Sequence, residues 1–163
     1  EATCHYSAQA KKLGADAVLV VVPYYNKPPQ RGLVQHFEKV AAEAPPVILY
    51  NVPGRTITSL SVESVAELSQ HPNIVGIKEA SGDIDFLKKL KSASQKDFVF
   101  LSGDDGTYVE FLKAGGTGVI SVATHLIPRQ MVDWKNWVHA GLSTNAEEDL
   151  QKYKKLIDLL FIE

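Results

Sequence analysis

Five short apolar runs punctuate the chain: Ala17–Val22, Val47–Tyr50, Ile74–Lys78, Phe98–Ser102 and Gly118–Ser121. Their brevity and their valine and isoleucine content predict strands buried on both faces, as in a parallel sheet. Between them the apolar positions recur at helical spacing. Leu33, Phe37, Val40 and Ala41 share one helix face; Val62, Val65, Ala66 and Leu68 share another. Ile84, Leu87 and Leu90 form a third stripe, and Val109, Phe111 and Leu112 mark a fourth helix. Ser59, Ser61 and Asp83 stand where N-caps are expected, and Ala114-Gly115-Gly116 offers the left-handed glycine that closes a helix. Two further helices follow the fifth run. One opens at Pro128 and carries Met131, Trp134 and Val138; the other opens on an apparent capping box, Thr144-Asn145-Ala146-Glu147, and continues through Leu150, Tyr153, Ile157 and Leu160. The first residues of the chain also read as helix.

A strict alternation of strand and helix with short connections implies right-handed crossovers around one parallel sheet. An open doubly wound sheet and a closed barrel both satisfy that pattern. No Gly-x-Gly-x-x-Gly follows any strand, which argues against the dinucleotide-binding version. A complete eight-unit barrel needs roughly 250 residues, whereas five units and a following helix are legible here. The chain starts at Glu1 within a helical pattern and stops at Phe161-Ile162-Glu163 without a cap, so both ends read as cut and a fragment is expected.

Composition narrows the function classes. With 163 residues, 45% of them hydrophobic, and a net charge of −2, the chain suits one soluble α/β core. Seventeen basic against 19 acidic side chains leave no electrostatic footprint for nucleic acid. The longest clean apolar run, Ala17–Val22, is far too short to cross a bilayer. Cys4 is the single cysteine and cannot form an internal disulfide, which makes a reducing cytoplasm the expected location. The five histidines lack ligand spacing, so no metal site is assigned. Asp104 and Asp105 are read as helix caps, and Cys4 as a small buried apolar residue. Gly115-Gly116-Thr117-Gly118 reads as a tight turn on the face opposite any βα-loop site, and Lys88, Lys89 and Lys91 as a solvated helix face.

In such sheets ligands bind at the carboxyl ends of the strands. Three of these ends carry reactive or ligand-orienting groups. The first runs into Pro23-Tyr24-Tyr25-Asn26, the second into Tyr50 and Arg55, and the third delivers Lys78. An amine at the end of a buried strand is poorly solvated, which lowers its pKa and lets the neutral form attack a ketone as a Schiff-base nucleophile. A phenol can move protons, and a guanidinium can clamp a carboxylate with two prongs. Each group also has a plain structural reading. A strand-end lysine can reach water along its own stem, a tyrosine can be a core residue with a satisfied hydroxyl, and an arginine after Pro-Gly can be a solvated turn residue. Only their placement on one rim favours chemistry.

The segments Pro23-Tyr24-Tyr25-Asn26, Tyr50-Asn51-Val52-Pro53-Gly54-Arg55-Thr56, Gly76-Ile77-Lys78-Glu79-Ala80, Ser102-Gly103-Asp104-Asp105 and Gly118-Val119-Ile120-Ser121 resemble, in order and spacing, those of dihydrodipicolinate synthases. The resemblance implies a (β/α)8 TIM barrel of which this chain carries about the fourth to eighth βα units. Residues 1–141 would be the partial barrel and 142–163 the start of a C-terminal helical region. It further implies a class I aldolase-type lyase that uses no cofactor and joins pyruvate to L-aspartate 4-semialdehyde in lysine and diaminopimelate biosynthesis. By the same resemblance Lys78 matches the Schiff-base lysine, and Tyr50 a proton-shuttling phenol. Tyr25 matches a phenol donated across a dimer interface of a tetramer, and Arg55 an arginine that binds the semialdehyde carboxylate. Gly103 and Ile120 match the lining of the pyruvate pocket, and Tyr24 a residue near an L-lysine inhibitor site. The family's Thr-Thr pair, the third member of its proton relay, is absent from these 163 residues, so the segment alone is expected to be inactive. Other readings are a related pyruvate-dependent aldolase, such as N-acetylneuraminate lyase or a 2-keto-3-deoxy sugar-acid aldolase, and a non-catalytic keto-acid binder.

Overall fold

The computed structural model describes residues 1–162. Glu163, the last residue of the expected C-terminal helical region, lies outside the described residues. The five apolar runs form strands β1 (Val18–Val21), β2 (Val47–Asn51), β3 (Ile74–Glu79), β4 (Val99–Ser102) and β5 (Gly118–Val119). The helices are α1 (Ala2–Lys12), α2 (Gln30–Ala41), α3 (Pro53–Thr56), α4 (Val62–Leu68), α5 (Ile84–Ala93), α6 (Tyr108–Lys113), α7 (Pro128–His139) and α8 (Ser143–Leu159).

Strand order separates the two architectures that the alternation allows. A doubly wound sheet reverses direction at a switch point and places helices on both faces. Here the strands lie in chain order, each parallel to the next, with no reversal. The helices follow suit: α2 packs on α1 and α4, α5 on α4 and α6, and α7 on α6 and α8. This is a segment of barrel wall, with strands inside and helices outside.

The two faces of the sheet differ accordingly. Val20, Val22, Leu49, Ile77 and Phe100 point into the helix layer, where they are buried with Leu33, Phe37, Val65, Leu87 and Leu90. Each such side chain contributes about 1.5–3 kcal/mol by burial. The alternate residues Leu19, Ile48, Tyr50, Lys78 and Leu101 lie on the other face and keep some exposure. Within residues 1–162, one face of the sheet is buried and the other is partly exposed. A second cluster joins α6, α7 and α8 around the fully buried Trp134, whose Nε1 donates to Asp149 at 2.9 Å.

Register is adjusted once. Val47 pairs with Ile74, but Ile48 pairs with Gly76, so Val75 is an extra residue in β3. Without that bulge Tyr50 would face Ile77, whose side chain belongs to the helix side; with it, Tyr50 faces Lys78.

Several local expectations hold. Ser61 caps α4 and Asp83 caps α5 through the backbone N–H of Ser64 and Phe86, and Gly115 closes α6 at φ +89. Others are corrected. The Ser59 hydroxyl caps nothing and donates to Asn51 Oδ1 instead. The capping box at Thr144 is not formed: α8 begins at Ser143 without a side-chain cap, because Glu147 is drawn to Lys113 on α6. Strand β5 ends at Val119, two residues early, although Ile120 still donates its N–H to Ser102 at 2.9 Å. Lys91 is not merely solvated, since its ammonium donates to the carbonyls of Ala114 and Gly115 at the end of α6. Cys4 is half-buried against the core edge.

Candidate active site

Tyr50 and Lys78 occupy the same level of neighbouring strands and emerge on the sheet face that, among the described residues, no helix covers. Lys78 Nζ lies 4.1 Å from the centroid of the Tyr50 ring, within cation–π range. The amine is half-buried at the mouth of a cleft, beside an aromatic face, and not enclosed by apolar side chains as strand burial alone predicts. Room for its stem is left by Gly103. A Cβ there would come within 2.6 Å of Ala80 Cβ and 2.8 Å of Lys78 Cε.

The cleft measures about 490 Å3 and is bordered by Tyr50, Arg55, Lys78, Gly103, Asp104 and Ile120, with Phe161 also reaching it. Five of the residues singled out in the sequence therefore converge. Arg55 comes from α3, a single turn opened by Pro53 at its first position and held by Val52, whose carbonyl accepts from Arg55 N, Thr56 N and Thr56 Oγ1. The turn ends at Ile57 with φ 62, an uncommon conformation for a β-branched residue and one that clusters near functional sites. Arg55 is exposed and pairs with no carboxylate among the described residues, so its fork is free for an anionic ligand.

Tyr24 and Tyr25 are not brought to Lys78. They border a neighbouring pocket of about 690 Å3 with Lys27, Thr56 and Ile57, and Arg55 belongs to both walls. Tyr25 is 93% exposed.

Sequence reasoning missed the groups behind Tyr50 and Lys78. Asn51 and Glu79 are buried on the helix side, directly beyond Tyr50 and Lys78. Glu79 accepts from Asn51 Nδ2 at 2.7 Å and from Ser81 N at 2.6 Å. Burial pushes its carboxyl above the ordinary glutamate range, although bonds from Ser81 and Asn51 pull the other way. Strand alternation was the available signal, because a residue next to an open-face lysine must point to the covered side. Asp104 does not cap α6, whose N-cap is Thr107 with no side-chain cap; its Oδ1 accepts from Thr107 N and Oγ1 at 2.8 Å in the turn before the helix. Nor does Asp105 cap it. It is buried, and its Oδ2 accepts from Val122 N at 3.0 Å and Ala123 N at 2.8 Å, tying the loop after β5 to the loop after β4.

Among the described residues, no three histidine, cysteine or acidic side chains gather to hold a metal ion. No helix among them is long and apolar enough to cross a membrane.

The geometry is thus a half-buried lysine at a barrel-strand end, beside a tyrosine and, among the described residues, an arginine with no carboxylate partner. The chain is 58% identical over 162 residues to the 4-hydroxy-tetrahydrodipicolinate synthase of Bdellovibrio bacteriovorus, covering 99% of this chain and 55% of that protein. The chain spans about half the length of the curated relatives it matches. Among solved structures it superposes with a TM-score of 0.93 and 42% identity on the chloride-inhibited dihydrodipicolinate synthase of Acinetobacter baumannii complexed with pyruvate, covering 98% of this chain and 55% of that one. It matches the Cyanidioschyzon merolae enzyme with lysine bound at a TM-score of 0.94 and 38% identity, with the same coverage. The model of the Dihydrodipicolinate synthetase family matches residues 1–163. On fold and sequence together, the chain belongs to the dihydrodipicolinate synthetase family.

Proposed function

We propose that this chain carries the Schiff-base half of an enzyme that condenses pyruvate with L-aspartate 4-semialdehyde to 4-hydroxy-tetrahydrodipicolinate, in lysine and diaminopimelate biosynthesis. The observation that carries the reading is Lys78 Nζ over the Tyr50 ring in a cleft that also holds the exposed Arg55. The solved relative with pyruvate and the curated relative's name support it.

The chemistry follows from the groups. The Lys78 amine adds to the pyruvate ketone, and loss of water leaves an iminium. That electron sink acidifies the methyl group, and removal of a methyl proton gives an enamine. The enamine carbon bonds to the aldehyde carbon of the semialdehyde, whose oxygen takes up a proton. The substrate's own amine then attacks the imine carbon, expels Lys78 and closes the ring. Tyr50 moves protons in these steps. Tyr50 passes protons through relay partners, one of them Tyr25 from a second copy of the chain. Arg55 receives the semialdehyde carboxylate, while Gly103 and Ile120 wall the pyruvate.

The complete native protein is read as a cytoplasmic homotetramer of tight dimers. L-lysine is its inhibitor near Tyr24, in keeping with the lysine-bound relative. Residues 1–141 form its barrel part and 142–163 the beginning of its C-terminal helical region; residues 1–163 alone are expected to turn over little or nothing. The test supplies pyruvate and the semialdehyde to the complete native protein. Condensation is the expected result, and cleavage of N-acetylneuraminate without condensation contradicts it.

A further inference from the structure

One register step beyond Tyr50 and Lys78, on the same two strands, Asn51 faces Glu79. Side chains alternate along a strand, so this second pair points to the opposite, helix-covered side, where Asn51 is 0% and Glu79 2% exposed. A carboxylate is held away from water only where its oxygens find donors.

The bonds that satisfy it form a chain with a forced direction. Leu60 donates its backbone N–H to Asn51 Oδ1 at 3.0 Å, and the Ser59 hydroxyl donates to the same oxygen at 3.2 Å. Asn51 Nδ2 donates to Glu79 Oε2 at 2.7 Å, and Ser81 N donates to Glu79 Oε1 at 2.6 Å. Both ends are backbone N–H groups, which can only donate. The Asn51 oxygen must therefore face Leu60, its amide nitrogen must face Glu79, and both Glu79 oxygens must accept.

The chain of bonds runs between the segments that bear the chemistry. Ser59 and Leu60 close the turn that starts with α3 and Arg55, and Ser81 follows the strand end that bears Lys78. Among the described residues, what sets Tyr50 opposite Lys78 is the strand register that Asn51 and Glu79 continue one step further.

We propose that Asn51 and Glu79 are positioning residues that, from the covered side of the sheet, hold Tyr50 against Lys78 and set the turn that presents Arg55. The inference rests on the proposed Schiff-base reading.

The test uses the complete native protein and three variants: Glu79→Gln, Asn51→Asp, and the two combined. Glu79→Gln puts an amide nitrogen against a donor, and Asn51→Asp brings two carboxylates face to face. Together they restore every link with the middle bond reversed, because the new amide at position 79 donates to the new carboxylate at position 51. For each protein, kcat, KM for pyruvate, the rate of borohydride-trappable imine formation and thermal unfolding are recorded.

The folded single variants are expected to lose about tenfold or more in imine formation and kcat, since misplacement of about 1 Å can cost 100-fold. KM should stay within about threefold, and the double variant should recover most of the loss, as coupled sites do. Unchanged imine formation in a folded Glu79→Gln protein overturns the inference. So does a double variant that is slow or fails to fold. If the single variants do not fold, the double variant decides alone. Absence of any adduct in the unsubstituted protein is a different result, because it removes the Schiff-base reading itself.

Discussion

Lys78 and Tyr50 stand opposite each other across β3 and β2, with the lysine amine 4.1 Å from the centre of the tyrosine ring. The pairing depends on the extra residue at Val75, which shifts the register by one and brings the two side chains onto one face. The ring lies against the amine, and in the proposed reaction the hydroxyl supplies the proton chemistry.

The two contributions separate on substitution. Tyr50→Phe keeps the ring beneath Lys78 and removes only the hydroxyl. In the complete native protein, kcat is expected to fall by roughly 100-fold, the lower range for general acid–base catalysis, while pyruvate still forms a trappable adduct. Steady-state turnover beside adduct formation checks this; undiminished kcat refutes the role of the phenol.

Gly103 is a spacing residue. The methyl of Gly103→Ala meets Ala80 Cβ at 2.6 Å, a group fixed to the backbone that cannot turn aside, and Lys78 Cε at 2.8 Å. Overpacking of this kind costs about 1–3 kcal/mol, so denaturant unfolding should show that loss and pyruvate trapping should slow. Gly118→Ala is the control, because its methyl meets only Leu101 Cδ2 at an ordinary 3.4 Å. Equal effects at the two positions would count against the spacing argument.

The buried Glu79 predicts a pH dependence of stability. Burial, its largest influence, raises its carboxyl pKa in the folded protein. Between the ordinary glutamate value of about 4.3 and the raised one, the folded state holds a proton that the unfolded state has released. The unfolding free energy therefore falls as pH rises through that window and is level above it. Glu79→Gln lacks this slope. Subtracting its unfolding free energy from that of the unsubstituted protein across the window isolates the effect, and a difference that rises with pH contradicts it.

Asp105 clamps the loop that carries Ile120 and Val122. Asp105→Ala leaves the N–H groups of Val122 and Ala123 without their acceptor, at about 1–3 kcal/mol for a buried group. Asp105→Asn keeps an accepting oxygen and should cost less. Unfolding in denaturant ranks the two, and the reverse order would mean that the clamp is not what Asp105 provides.

Much of this was legible in the sequence because it is local. Apolar runs and helical spacing placed the strands and helices, and the motifs gathered Lys78, Tyr50, Arg55, Gly103 and Ile120 onto one cleft. What escaped depends on partners distant in the chain. The apparent capping box at Thr144 lost to an ion pair between Glu147 and Lys113, and Lys91 found the end of α6 across an interhelical gap. The Asn51–Glu79 link requires the strand register, which composition and spacing do not contain. Architecture was open for the same reason, since alternation alone cannot tell a monotonic strand order from one that reverses.

The claim beneath all of this is that the nitrogen of Lys78 attacks the pyruvate ketone. Incubating the complete native protein with pyruvate and borohydride, then mapping the added mass by peptide, tests it directly. The account predicts one reduced pyruvate on the peptide containing Lys78 and none after Lys78→Arg. An adduct on another lysine, or none on the folded protein, contradicts it.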